Sequence, residues 1–207
     1  MEADNVESVA QSMGQKEITY ENTGVTLGRL TADLPTAARS WRPGDDYYAR
    51  ELAPCVFGPA KSGRNLTMKV GWFGTPFQVL EKKWHRAGGN VLSDWWIHDG
   101  DSRYAFPCKI RGSHPQQQEQ IPLSVRLNAK NLDSFSPELR GRVAATVART
   151  MASQLQCANK PHIPARLTTP PYNPVRSAPS HPTPTPTNSP RYSTLSAQSP
   201  GHAPAPR

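Results

Sequence analysis

Residues 66–84 read LTMKVGWFGTPFQVLEKKW, and two periods follow one another within them. Residues 66–73 alternate large apolar with smaller or polar side chains, the period-two pattern of a strand with one face in a core. Thr75 and Pro76 then open a helix, Thr75 as its cap and Pro76 in its first turn. Phe77, Leu80 and Trp84 recur every three or four residues, so they share one helix face. Gly88-Gly89 is the expected stop for that helix.

Reading outward toward the C-terminus, residues 91–97 predict a strand. The turn His98-Asp99-Gly100-Asp101-Ser102 leads to a second strand over 104–110, so the two form a hairpin. Pro107 sits inside that second strand, and 112–120 is a polar, Gln-rich loop. Residues 121–127 alternate as a third strand, which Pro122 marks as an edge strand. Ser136 then caps a long helix reaching about Cys157, with Pro137 first and Glu138 at the positive end. Leu139, Val143, Val147, Met151 and Leu155 repeat every four residues. Val143, Val147 and Met151 face the core, and Ala144, Ala148 and Ala152 beside them allow close packing.

Toward the N-terminus the pattern loosens. Residues 1–17 read as a flexible acidic arm with at most a short helix. Residues 18–30 predict one or two short strands. Residues 31–64 read as irregular, punctuated by proline and glycine, with a short helix near 45–52. The expected organisation is the arm, a single α+β domain over 18–160, and a disordered tail over 161–207. The fold class is α+β, with an antiparallel sheet of three or more strands packed against two main helices. The tail carries thirteen prolines and four arginines with no Asp or Glu. It has too few large apolar side chains to offset the entropy of ordering it, and its prolines favour extended polyproline II.

The helix–strand–strand–strand–helix order over 75–157 resembles the double-stranded RNA-binding domain. Pro76, Leu80 and Glu81 stand where that family's first helix opens with proline, leucine and glutamate. The hairpin over 98–106 has a Gly-containing loop leading into an aromatic strand. The second helix is alanine-rich and carries Arg140, Arg142 and Arg149. Gly141-Arg142-Val143-Ala144 stands where the family has two lysines and an alanine, and the loop between the last two strands is long. The abundance of Pro, Ala and Ser is also similar to the proline-alanine-serine-rich proteins of polymycoviruses, which associate with double-stranded RNA genomes. The resemblances imply RNA binding, double-stranded RNA favoured, in a viral coating or nucleocapsid-like role.

Charge points the same way by a separate route. The chain carries 24 Lys/Arg against 16 Asp/Glu, a net +8. Residues 1–60 hold five Lys/Arg against nine Asp/Glu, residues 61–160 fifteen against seven, and residues 161–207 four against none. A basic core and tail predict a polyanionic partner, nucleic acid before anionic membrane. Lys82, Lys83, Arg86, Arg103, Lys109 and Arg111 interleave with Trp84, Trp95, Trp96, Tyr104 and Phe106. The predicted RNA contacts are Lys82, Lys83, Arg86, Arg140, Arg142 and Arg149, with diffuse tail contacts from Arg166, Arg176 and Arg191. Homo-oligomers and groove-binding domains on the proline-rich tail are further expected partners. The rival reading is a protein-interaction adaptor that docks a Trp-rich face.

Other chemistries are poorly served. Gly58 to Asn65 imitates a phosphate-binding loop, but Arg64 and Asn65 replace the lysine and hydroxyl, and a strand follows. Cys108, His114, Cys157 and His162 have loose zinc-ligand spacing. The three cysteines are too few and too dispersed for a disulfide framework, so buried free thiols in a reduced, intracellular protein are expected, cytoplasmic or virion-associated. His98-Asp99 with His85 and Asp133 imitates a phosphohydrolase ligand set, but a turn explains the pair. No enzyme activity, cofactor, metal or membrane span is expected.

Overall fold

The computed structural model describes residues 3–16, 20–21, 25–45, 51–58, 63–94, 101–132 and 135–168. Helix α1 (Ala3–Ser12) and strand β1 (Tyr20–Glu21) lead into α2 (Leu27–Ser40), then β2 (Leu52–Phe57) and β3 (Asn65–Trp72). Helix α3 (Phe77–Lys83) is followed by β4 (His85–Gly88), β5 (Val91–Ser93) and β6 (Asp101–Phe106). The short α4 (Gln117–Gln120), β7 (Leu123–Lys130) and the long α5 (Pro137–Gln154) complete the order. The strands form one seven-stranded antiparallel sheet in the order β1-β2-β3-β7-β6-β5-β4. The α+β class and the antiparallel sheet are as expected.

The sheet buries one face through its pleat. Leu66, Met68, Val70 and Trp72 of β3 line up with Leu123, Val125, Leu127 and Ala129 of β7, and Tyr104 and Phe106 of β6 join them. Leu139, Val143, Ala144, Ala148 and Met151 of α5 cover that face, with Leu30, Leu34 and Ala38 of α2. Val147 is only partly buried against it. Trp72 is fully buried, and its indole N–H donates to the Leu34 carbonyl at 2.8 Å, so its polar edge is satisfied inside the core. At one end of the opposite face Phe77, Leu80, Leu92 and Ala105 form a smaller cluster, with Phe73 and Trp84 packed on it.

Local signals hold where they are strongest. Ser136 caps α5, its hydroxyl accepting from the Leu139 N–H at 3.2 Å, and Pro137 is the first helical residue. Strand β3 and the antiparallel β5–β6 pairing are also as read. Strand β6 runs Asp101–Phe106, however, so Asp101 and Ser102 of the expected turn are strand residues and residues 107–110 are not.

Several expectations are corrected. The N-terminal arm is a docked helix. Val9, Ala10 and Met13 are buried, and Asn5 Nδ2 donates to Thr146 Oγ1 of α5 at 3.2 Å. Residues 27–40 are helical and not stranded or irregular, because Thr26 caps the Arg29 N–H and Leu30, Leu34 and Ala38 repeat every four residues. Helix α3 ends at Lys83, five residues before Gly88. Residues 85–88 pair instead with 91–93, and Gly88 and Gly89, both at positive φ, form the turn. Strand β7 is central, between β3 and β6. Pro122 precedes it and offers only its carbonyl, to the Phe73 N–H at 2.8 Å, so its missing donor costs no ladder bond.

Two of the expected free thiols are joined. Cys108 and Cys157, 49 residues apart in sequence, form a disulfide, which leaves Cys55 as the free cysteine and removes two of the four zinc-ligand candidates. Order also continues past residue 160. Ile163 and Leu167 are buried in the main core, two apolar anchors in a proline-containing stretch. Trp95, Trp96, His98, Asp99, Asp133, the tail beyond Thr168, half of the phosphate-loop imitation and most of the helix expected near 45–52 lie outside the described residues.

Candidate nucleic-acid interface

A strap, residues 161–168, crosses from the end of α5 back to the sheet edge. His162 N–H donates to Asn90 Oδ1 at 2.8 Å, and its carbonyl accepts from the Asn90 N–H at 2.9 Å. Leu167 N–H donates to the Gly141 carbonyl at 3.3 Å, and Thr168 N–H to the Ala87 carbonyl at 2.8 Å. The seat exists because three residues lack a side chain. A Cβ at Gly141 would strike the Leu167 carbonyl, one at Gly89 would strike His162, and one at Gly88 would lie 2.9 Å from Pro164 Cγ.

The strap runs past the backbone of Arg86 and Ala87 in β4, the strand that follows the Lys82-Lys83 end of α3. Lys82, Lys83, Arg86 and Arg166 are exposed. Among the described residues Lys82 and Lys83 have no carboxylate partner, whereas Arg86 bridges Glu81 at 2.8 Å across an exposed pair. Arg142, half-buried on the first turns of α5, shares a carboxylate neighbour with Arg166 in Glu138. Glu138's carboxyl is held below the usual carboxylate range, chiefly by its own backbone N–H and the Ser136 hydroxyl, with Arg166 and Arg142 adding attraction. A carboxylate there suits the positive helix end and offsets two arginines that do not.

The other predicted contacts separate from this rim. Arg140 is 8 % exposed and turns inward, its guanidinium 5.5 Å from the Phe135 ring centre and donating to the Phe135 carbonyl at 3.4 Å. Burial pushes its pKa down. Its guanidinium is held inside the fold and is not part of the exposed set. Arg149 is half-buried about 10 Å along α5 from Arg142. Arg176 and Arg191 lie outside the described residues. Lys109 is also spoken for, since its ammonium donates to the carbonyls of Ser113 and His114. Burial lowers its pKa.

A second cationic set was hidden in the strand register. Lys69, Arg126 and Arg103 lie side by side across β3, β7 and β6 on the polar face of the sheet. Like charges in such a row repel unless answered. Asp101 takes Arg126 in a forked bond, with both carboxylate oxygens 2.9 Å from Nε. Glu51 bridges Arg103 at 3.3 Å and Arg126 at 3.4 Å. The Asp101 hydrogen bond, opposed by burial and aided by both carboxylate charges, raises the pKa of Arg126. Arg103 also stacks 4.8 Å over Phe73. The alternation in each strand carried the signal, but only the register shows that these positions adjoin.

Among the described residues no three metal-ligating side chains converge, and no helix is long and apolar enough to cross a membrane. The arrangement is an open rim of exposed cations, suited to contacts spaced along a polyanion. Compared with known proteins, the chain matches no family model, no curated protein and no solved structure.

Proposed function

We propose that this protein binds RNA without catalysing a reaction, double-stranded RNA favoured, in a coating or nucleocapsid-like role. Lys82, Lys83, Arg86, Arg142 and Arg166 supply phosphate contacts, and the basic segment beyond Thr168 extends them. The observation that carries this reading is the strap. It holds the segment carrying Arg166 against β4 and against Gly141 of α5, next to the chain segment that carries Lys82, Lys83 and Arg86. Contacts of this type recognise duplex shape and backbone, not base edges.

Each neutralised phosphate releases counterions, so affinity for duplex RNA falls steeply between roughly 50 and 200 mM salt. A gel-shift series across that range tests this, with single-stranded RNA and duplex DNA as comparators. Binding that stays flat with salt refutes the reading. Removing residues 169–207 leaves weaker but measurable RNA binding. An unchanged RNA affinity together with loss of a protein partner favours the adaptor reading instead.

A further inference from the structure

A cavity of about 450 Å³ opens at the C-terminal end of α5, lined by Arg111, Ala152, Ser153, Gln156, Cys157, Ala158, Lys160 and Pro161. Its size falls within the range of small-molecule sites. Its wall includes one half of the disulfide. Cys157 lines the cavity, whereas Cys108 is fully buried and does not. Two cations share the lining with Cys157. Arg111 and Lys160 are exposed and, among the described residues, have no carboxylate partner. Ser153 and Gln156 add hydrogen-bonding groups, and Ala152, Ala158 and Pro161 add apolar wall.

We propose that this cavity admits a small anionic thiol, which attacks Cys157 and opens the Cys108–Cys157 disulfide. Arg111 and Lys160 raise the local concentration of the anion and favour its thiolate form. The thiolate forms a bond to Cys157 Sγ as the S–S bond breaks, and Cys108 leaves as a thiolate that takes a proton from water. A second thiolate attacks the external sulfur of the mixed disulfide. It releases Cys157 as a thiolate, which is protonated in turn. Two small thiols are oxidised to one disulfide, and the protein disulfide is reduced to two thiols.

The consequence reaches the strap. Beside the disulfide, Ala158 N–H donates to the Lys109 carbonyl at 2.8 Å, and Asn159 bonds both Lys109 N–H at 2.9 Å and the Pro107 carbonyl at 3.0 Å. These bonds and the S–S link together fix the root from which residues 161–168 depart. Opening the disulfide leaves only the hydrogen bonds.

The test uses the full oxidised chain with Cys55 alkylated beforehand. It is treated at low salt with 3-mercaptopropionate, 2-mercaptoethanol or cysteamine at equal thiolate concentrations, then quenched and mapped by peptide mass spectrometry. The expected map shows the Cys108–Cys157 link before treatment and the first adduct on Cys157. Relative to each thiol's own rate with a small neutral disulfide, the anionic thiol reacts about tenfold faster than the cationic one, and 1 M salt closes the gap. Arg111→Glu with Lys160→Glu reverses the order. An absent link, an adduct on Cys108, or equal relative rates in the unmodified chain overturns the proposal, whatever the folding of the variant.

Discussion

The polar face of the sheet and the β4 rim both hold a concentration of cations, yet they are built in opposite ways. On the sheet, Arg103 and Arg126 share Glu51, and Asp101 grips Arg126 with both oxygens. At the rim, Lys82 and Lys83 have no carboxylate partner among the described residues, and Arg142 and Arg166 divide the attraction of Glu138. One set has its charge answered inside the fold. The other leaves charge facing water. A count of arginines does not separate them, because the distinction lies in which carboxylates the topology delivers.

The largest effect comes from removing the support of the rim. Gly141→Val drives a side chain into the Leu167 carbonyl and unseats the strap. Overpacking of this kind costs about 1–3 kcal/mol, and urea denaturation measures it. The same change weakens duplex RNA binding by detaching Arg166. If the variant keeps full stability, the seat is looser than the glycines imply.

Next in size, Asp101→Ala attacks the sheet set and leaves Arg126 with only Glu51. The pair is about a quarter exposed, so the loss is reduced by solvent screening to about 1–2 kcal/mol. RNA affinity per folded molecule stays unchanged. A strong loss of RNA binding without loss of stability would reverse the two roles.

Lys82→Ala with Lys83→Ala is the mirror experiment. Stability moves by less than about 0.5 kcal/mol, while the slope of log affinity against log salt falls by about 2. Smaller again is Glu81→Gln, which breaks an exposed pair worth roughly 0–1 kcal/mol and releases Arg86 for a ligand. A modest gain in RNA affinity is the expected reading.

The last test is a pH profile. Glu138's carboxyl is depressed in the folded state, so the stability it contributes is present above the ordinary carboxylate range. That stability is lost as pH falls through the lower, folded value. Glu138→Gln flattens this part of the acid limb, which a series of melting curves between pH 3 and 6 detects.

Sequence alone carried the local features. The Ser136-Pro137 opening of α5 and the alternation of β3 need only neighbours in the chain, and both are where the residues put them. Arg140 shares a helix face with Ala144 and Ala148, a face that packs on the core, so its inward turn is legible in the helix period. Other features depend on distant partners. The Cys108–Cys157 link spans 49 residues, and nothing in the spacing says that the exit of β6 meets the end of α5. The row of Lys69, Arg126 and Arg103 requires a register that three separate strands do not state individually. Ile163 and Leu167 are two apolar residues in a proline-containing stretch, and their burial follows only from a groove that glycines elsewhere leave open.

The strap's hydrogen bonds to Ala87 and Asn90 also seal a margin. A shortened chain ending at residue 160 would bare the backbone of β4 along its outer side, with an empty glycine-lined trough next to it. Such a margin recruits strands from other molecules. For this fold, trimming the proline-rich end one step too far exposes an edge open to pairing.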